Sequence, residues 1–206
     1  MSTCMKKDKN RYHHGHLAES LLDAVDEIAT QFGLESVTLR ACAKLVGVSP
    51  SSAFRHYADK RALLTAFATR ALQQLTTALA TSKETANQTG DDAFRAVSLA
   101  YIQFALQKPA FFRAMWREET IYANDEAYML ATHELRQQLQ GGFADTITDC
   151  DPESLSAQEL LAWSAVHGLA NLFVDGPVGK GEPDAKKLAL AEDMIQALKP
   201  AFFNPY

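Results

Sequence analysis

Thr38-Leu39-Arg40-Ala41-Cys42-Ala43-Lys44-Leu45-Val46-Gly47-Val48-Ser49-Pro50-Ser51-Ser52-Ala53-Phe54-Arg55-His56-Tyr57 is the stretch on which the fold turns. Thr38 supplies a capping oxygen for a short helix through Val46, and Gly47 breaks that helix with a residue free to take positive φ. Ser49-Pro50 is a helix start in both parts, an N-cap oxygen followed by a preset φ in the first turn. Helix, tight glycine turn and second short helix make the helix-turn-helix layout, whose second helix lies in the major groove of DNA. Ala43 is small enough for a close crossing, and Val46, Val48, Ala53 and Phe54 are expected on the inner faces. Ser49, Ser51, Ser52 and Arg55 then fall on the outer face, short hydroxyls and one long donor suited to phosphates and base edges. Helical proteins also use the same geometry with no DNA role, so the layout alone leaves both readings open.

Outward from this stretch the chain reads as helix after helix. Leu17, Leu21, Val25, Ile28 and Phe32 form one apolar stripe, and Gly33 supplies the left-handed residue that ends it. Asp59 caps a fourth helix running to about Ala80, after which residues 81–92 carry almost nothing apolar and read as a loop. Phe94, Val97, Tyr101, Phe104 and Ala105 make the face of a further helix, ended by Lys108-Pro109. A short aromatic helix follows at Phe111–Trp116. Asn124 or Asp125 starts a long one reaching roughly Thr148, with Gly141-Gly142 as its weak point. Ser156-Ala157-Gln158-Glu159 is a capping box ahead of a mostly apolar run, Asp175 to Pro183 is a loop, and Leu188 to Leu198 is a last helix stopped by Pro200. The expected fold class is all-α with about nine helices. It divides into a helix-turn-helix domain at 11–60 and a larger helical domain at 61–206.

Composition narrows the function classes. The 206 residues are 47% apolar and 22% charged, an ordinary globular balance that excludes disordered and low-complexity classes. The longest nearly unbroken apolar run, 160–174, falls short of the roughly 20 residues a membrane span needs, so no membrane association is expected. Cys4, Cys42 and Cys150 are odd in number and widely spaced, which argues for a reducing, cytoplasmic setting and against a zinc site. No metal-ligand spacing, phosphate loop or nucleophile elbow occurs, so no cofactor, metal or catalytic residue is expected. The net charge of -5 hides an asymmetry. Residues 1–70 hold 10 Lys and Arg against 7 Asp and Glu, whereas 71–206 hold 10 against 18. His13, His14, His16 and His56 also lie in the basic part. A basic end on an acidic body suggests a polyanion partner at that end.

Tyr12-His13-His14-Gly15, Thr38-Leu39-Arg40, Gly47-Val48-Ser49 and Phe54-Arg55-His56-Tyr57-x-x-Lys60-x-x-Leu63 together resemble the N-terminal domain of the TetR family of bacterial transcriptional regulators over about residues 11–70. The resemblance implies that Thr38 and Arg40 meet phosphate at the start of the second helix. It implies that Ser49, Ser51, Ser52 and His56 face the groove or its walls, and that Lys60 holds a phosphate. Tyr57 reads as a core aromatic. Lys60 beside the positive end of a helix is unfavourable unless an anion arrives there. Phe54 departs from the family, which usually has Tyr at this place, and the missing hydroxyl removes a phosphate bond.

Trp163-Ser164-Ala165-Val166-His167-Gly168 resembles the signature of the WHG class of C-terminal domains attached to TetR-type regulators, and Lys108 to Met115 resembles the segment preceding it. Ser164, His167, Gly168 and Asn171 form one small, polar stripe on an otherwise apolar helix, and in a family that dimerises through its last two helices such a helix faces the partner. Phe104, Phe111, Phe112, Met115, Trp116, Tyr122, Tyr128 and Met129 are a dense aromatic and methionine set, open to two readings. It is either bundle core or a ligand cavity in which Trp116, Tyr128, Trp163 and His167 contribute. The function expected is a homodimeric repressor that binds a palindromic double-stranded DNA operator and is released by an unknown small-molecule effector. A helical enzyme or small-molecule carrier without a DNA role explains the aromatic set but leaves Tyr12 to Leu63 without a purpose. A DNA-binder that takes no ligand is the third possibility.

Overall fold

The computed structural model describes residues 16–89, 92–141 and 156–203, and these form nine α-helices and two short 3-10 turns. The helices are α1 (Leu17–Phe32), α2 (Leu39–Val46), α3 (Pro50–His56), α4 (Lys60–Thr89), α5 (Ala93–Gln107), α6 (Pro109–Met115), α7 (Glu126–Gly141), α8 (Ala157–Val174) and α9 (Asp184–Phe203). The all-α class expected from the sequence is therefore what the chain adopts. Two compact units meet between Leu64 and Thr65, within α4.

The first unit is built by local devices. Leu21, Leu22, Val25 and Ala29 of α1 are buried with Leu34, Val37, Leu39, Cys42, Ala43, Val46 and Ala53. Thr38 Oγ1 accepts the Ala41 N–H at 3.0 Å to cap α2. Gly47 closes that helix with φ 81° and ψ 28°, its N–H donating to Lys44 O at 3.2 Å while the Val48 N–H donates to Ala43 O at 2.9 Å. That pair of bonds is a Schellman motif, and its left-handed residue favours glycine strongly. Gly33 also has positive φ, 83°, but with ψ 160° it lies outside the left-handed helical well, in a region essentially restricted to glycine. Burial pushes the Cys42 thiol up to about 11, so it stays protonated and inert.

Two inner-face expectations need correction. Phe54 is 46% exposed and Val48 only half-buried, because α3 has seven residues and Ala53 alone fills its contact with the other helices. Phe32 is 68% exposed, although it continues the α1 stripe. The stripe runs past the packed part in the last turn, where Phe32 lines a surface groove with Ile28, Ala41 and Leu45.

In the second unit α5 is central, with α8 and α9 packed against it. Asp92 caps α5 by accepting the Arg95 N–H at 3.1 Å and also accepts from Lys199 Nζ of α9 at 2.6 Å. Burial pushes the Asp92 carboxyl up, but the Lys199 ammonium and the backbone N–H bonds outweigh it and hold it below its ordinary value. Asp125 accepts the Tyr128 N–H at 3.1 Å at the start of α7, and Ser156 with Glu159 completes the capping box of α8. Arg113 of α6 binds Asp175, the residue that follows α8, through Nε at 2.8 Å.

Besides shifts of a few residues at α6 and at the start of α9, two element boundaries differ clearly from the sequence reading. Residues 81–89 are helical, not a loop, so α4 is 30 residues long. Its last turns hold through a tie to α5, a buried alanine and bonds within the helix, none of which an apolar count registers. Ser82 Oγ donates to Ala96 O at 2.9 Å, Ala86 is buried, and Thr81, Thr85 and Thr89 donate to carbonyls four residues back. Pro200 does not stop α9, which runs on to Phe203 with the proline inside. A proline so close to the end removes one backbone bond from the last turn, while Ala191, Ile195 and the Lys199–Asp92 pair already fix the helix. The expected continuation of α7 to Thr148 lies outside the described residues beyond Gly141, as do Tyr12, His13 and His14.

Candidate functional site

The polar residues that the sequence reading assigned to DNA contact lie mostly at the surface of the helix-turn-helix unit. Thr38, Arg40, Ser49, Ser51, Arg55 and His56 are exposed, and Ser52 and Lys60 are half-buried. Several of them also have structural duties. Ser49 Oγ accepts the Ser52 N–H at 3.2 Å to cap α3 and lies 2.9 Å from Ser51 Oγ and 2.8 Å from Ser52 Oγ. Arg55 Nη2 donates to Ser52 Oγ at 3.2 Å. The outer face of α3 is thus a linked strip of hydroxyls ending in a guanidinium, with the ring of Phe54 exposed on the same short helix. Such a strip offers several donors to phosphate oxygens and base edges, while Ser49 is committed to the cap.

Lys60 has a partner that sequence reasoning did not supply. Its Nζ donates to Glu35 O, the carbonyl in the turn after α1, at 2.9 Å. This contact accommodates the ammonium at the start of α4, and a waiting anion is not needed to explain it. Tyr57 is half-buried with its hydroxyl donating to Ala18 O at 3.4 Å, which fits a structural role. His16 immediately precedes α1 and is exposed, with no side-chain capping bond.

In the second unit the aromatic set divides in three. Phe111, Phe112 and Met115 are fully buried packing, with Phe111 against Phe67 at a ring-centroid distance of 4.5 Å. Phe104 is buried on α5, and Tyr128 is buried with its hydroxyl donating to Met115 O at 3.2 Å. Burial, helped by the negative charge of Glu118, raises the Tyr128 hydroxyl above its ordinary value. Tyr122 and Met129 are 43% and 51% exposed, so they belong neither to the core nor to an internal cavity.

His167 marks the centre of the third part. Its ring lies among those of Tyr101, Phe112, Trp116 and Trp163, at centroid distances of 6.2, 5.4, 5.1 and 6.1 Å. Nδ1 is 2.8 Å from the Tyr101 hydroxyl and Nε2 is 3.0 Å from the Asn171 amide nitrogen. With the Asn171 N–H donating to Nε2, Nδ1 carries the proton and donates to Tyr101 Oη. Burial lowers the His167 pKa and keeps the imidazole neutral. Burial also pushes the Tyr101 hydroxyl up, against a smaller opposing pull from the indole N–H groups of Trp163 and Trp116. Neither indole completes a hydrogen bond of good geometry.

Trp116 and Trp163, at a centroid distance of 5.7 Å, also wall a cavity of about 220 Å³. Thr132, Leu135, Arg136, Leu139 and Gln140 of α7 and Glu159 of α8 also line it. Of the ligand candidates read from the sequence, Trp116 and Trp163 line this cavity, whereas Phe104, Phe111, Met115, Tyr128 and His167 do not. Arg136 and Gln140 were missed by sequence reasoning. The signal available was two polar residues four apart on α7, interleaved with Leu135 and Leu139, which places both kinds of side chain along one inner edge.

Comparison with known proteins finds a separate match for each part of the chain. Residues 21–67 match the family described as bacterial regulatory proteins, tetR family, and residues 94–198 match that described as tetracyclin repressor-like, C-terminal domain. The chain belongs to the TetR family. It is a transcriptional regulator by family. The TetR-family chain is 28% identical over 160 residues to the uncharacterized HTH-type transcriptional regulator YobS of Bacillus subtilis, covering 77% of this chain and 76% of that one. A solved structure of a protein with unknown function from Rhodococcus sp. RHA1 is 26% identical, with a TM-score of 0.69 over 92% of this chain and 98% of that one. The TetR family regulator PfmR of Thermus thermophilus shares the fold at 18% identity, with a TM-score of 0.58 over 85% of this chain and 97% of that one. Among the described residues no helix is long and apolar enough to cross a membrane.

Proposed function

We propose that this TetR-family chain is a homodimeric repressor that binds a palindromic DNA operator and is released when a small molecule occupies its C-terminal part. Residues 11–60 would contact DNA and 61–206 would carry effector binding and dimerisation. The observation that carries the reading is the outer face of α3, where Ser51, Ser52, Arg55 and His56 lie together beside the Ser49 cap and away from the buried Ala53. Thr38 and Arg40 at the start of α2 and Lys60 at the start of α4 would add phosphate contacts. Phosphate contacts position such a unit, and the α3 side chains select the sequence.

Two copies would place their α3 helices in successive major grooves, with half-sites about 34–36 Å apart or a multiple of it. The dimer face we assign to α8 and α9. Leu161, Leu172 and Leu190 are exposed there, and a side chain added at Gly168 of α8 would meet nothing within this chain. An effector that favours one spacing of the DNA-binding units over another lowers operator affinity by shifting the population.

The test is selection of bound sequences from random duplex DNA, then anisotropy titration of the selected site. Wild type should recover a two-fold symmetric site, and Arg55→Ala should weaken binding to it with a salt dependence shallower by about one unit if Arg55 meets a phosphate. Recovery of no sequence at low salt would end the DNA-binding reading. Sedimentation of wild type and Gly168→Leu tests the dimer, since a bulky side chain at a close crossing should drive the protein towards monomer.

A further inference from the structure

We infer that the cavity between Trp116, α7 and α8 takes a single-ring aromatic molecule that carries an oxygen hydrogen-bond acceptor, such as a carboxylate or a ketone. The inference rests on the reading of 61–206 as the effector-binding part and names the chemistry of the effector.

Size comes first. The space is about 220 Å³. That is below the roughly 300–1,000 Å³ of sites for drug-sized ligands, but above the roughly 150 Å³ in which an engineered apolar cavity holds benzene. One ring with a short substituent fits, and two fused rings with substituents do not.

The walls set the shape. Trp116 and Trp163 contribute two large rings tilted 51° to one another, and Leu135 and Leu139 supply aliphatic surface from α7. A flat apolar occupant can contact both indoles by offset or edge-on packing, the arrangements aromatic pairs favour.

Polar atoms set the chemistry. Arg136 Nε and Gln140 Nε2 are buried nitrogen atoms without a hydrogen-bond partner, and both residues line the cavity. Buried donors left unmatched are costly and uncommon in folded proteins, so two of them one helical turn apart, beside an empty apolar space, call for an acceptor. Glu159 is the acidic residue in the lining, and its Oε2 already accepts the Ser156 N–H at 2.7 Å within the capping box of α8. Glu159 and Arg136 thus bring one negative and one positive group to the lining. Neutral ketones are therefore admitted beside carboxylates, and the hydrogen-bond acceptor is the feature the two share. An ammonium-bearing ring brings only donors and leaves Arg136 Nε and Gln140 Nε2 unmatched.

The chain contains two tryptophans, Trp116 and Trp163, and both line the cavity, so intrinsic fluorescence reports its occupancy directly. The experiment titrates the full chain, without DNA, with benzoate, acetophenone, ethylbenzene and benzylamine, following tryptophan emission and thermal stability. Benzoate or acetophenone should change emission saturably and raise the melting temperature, binding at least about tenfold more tightly than ethylbenzene, with benzylamine weakest. The ratio of benzoate to acetophenone affinity then tells an anionic from a neutral effector. Arg136→Leu and Gln140→Leu should each reduce the preference for acceptor-bearing rings while ethylbenzene still binds, which shows that the cavity itself is intact. Ethylbenzene binding as well as acetophenone, or no saturable change with any of the four, overturns the inference. Probe binding by a chain that selects no DNA sequence would sink the regulator reading alone. DNA selection without probe binding would sink the cavity assignment alone.

Discussion

The helix-turn-helix unit and the α5–α9 unit are held together in opposite ways. In the first, the bonds that shape α2 and α3 join residues three apart, Thr38 to Ala41, Ser49 to Ser52 and Arg55 to Ser52, although Lys60 to Glu35 and Tyr57 to Ala18 reach further along the chain. In the second they join distant parts of the chain. Tyr101 and His167 are 66 residues apart, Arg113 and Asp175 are 62 apart, and Arg95 and Glu192 are 97 apart. The first unit carries its candidate contacts on the outside, on a helix of seven residues, and its apolar core only sets their direction. The second carries its candidate site as a half-open space, which exists only after α7, α8 and the residue that follows α6 have met. A surface site built locally tolerates changes in packing behind it, whereas a cavity is itself a packing arrangement.

The largest effect that tests this contrast comes from the second unit. Phe111 is 2% exposed and packs on Phe67. Phe111→Ala should cost about 3–5 kcal/mol, because both transfer and cavity contributions are lost. Urea unfolding followed by tryptophan emission checks it, since both indoles lie in that unit. A loss below about 1 kcal/mol would mean that the bundle refills the space, and the contrast between the units would weaken. Next in size is Gly47→Ala in the turn between α2 and α3. A Cβ there has open space around it, so the cost is that of the left-handed backbone alone, about 1–2 kcal/mol. Thermal unfolding by circular dichroism would show it. An unchanged transition would place the turn outside the cooperative unit.

The same contrast decides how much could be read beforehand. Thr38, Gly47, Ser49 and Pro50 are signals within a few residues of the bonds they make, so α2, the turn and α3 were legible down to their caps. So were Asp59, the alternative Asp125 and the Ser156–Glu159 box. Phe54 was misplaced because one exposed ring on a seven-residue helix has no periodicity to betray it. The end of α4 was missed because residues 81–89 are polar except for Ala86, and what keeps them helical includes a bond to Ala96 on another helix. The cavity was half legible: Trp163 stands in a recognisable signature and Trp116 in an aromatic cluster. That Arg136 and Gln140 join them depends on how α7 crosses α8, which no local pattern encodes.

A smaller effect sharpens the division of labour on α3. Ser49→Ala removes the cap and should cost about 1 kcal/mol. Ser51→Ala removes an exposed hydroxyl and should stay within about 0.5 kcal/mol of wild type. For DNA the expected order is reversed in kind. Ser51→Ala should change which sequences are preferred, whereas Ser49→Ala should weaken all of them together through loss of α3. Equal stability of the two variants would show that the Ser49 bond is not what starts the helix.

The smallest expected effect concerns the tie at the centre of the second unit. Burial holds the pKa of His167 below its ordinary value of 6.5. In the unfolded chain an imidazole titrates near about 6.5, so just below that pH the unfolded state binds a proton that the folded state refuses. Stability is then present in full above that value and declines as pH falls towards the folded pKa. Asp92, Glu119 and Glu192 are carboxyls lowered from ordinary values of 3.8 and 4.5, so their contributions are lost only at more acid pH. The interval from about pH 7.5 to about pH 5.5 therefore isolates histidine from these carboxyls. Urea unfolding read by tryptophan emission across it should show wild type losing stability on acidification. His167→Gln keeps an amide to meet Tyr101 but cannot take up the proton, and its stability should depend less on pH, from a lower starting level. An equal slope in the two proteins would mean that His167 opens to water readily enough to be protonated without loss. The Tyr101–His167 contact would then be a surface tie like those of the first unit, and the contrast between a site built outside and a site built within would lose its clearest instance.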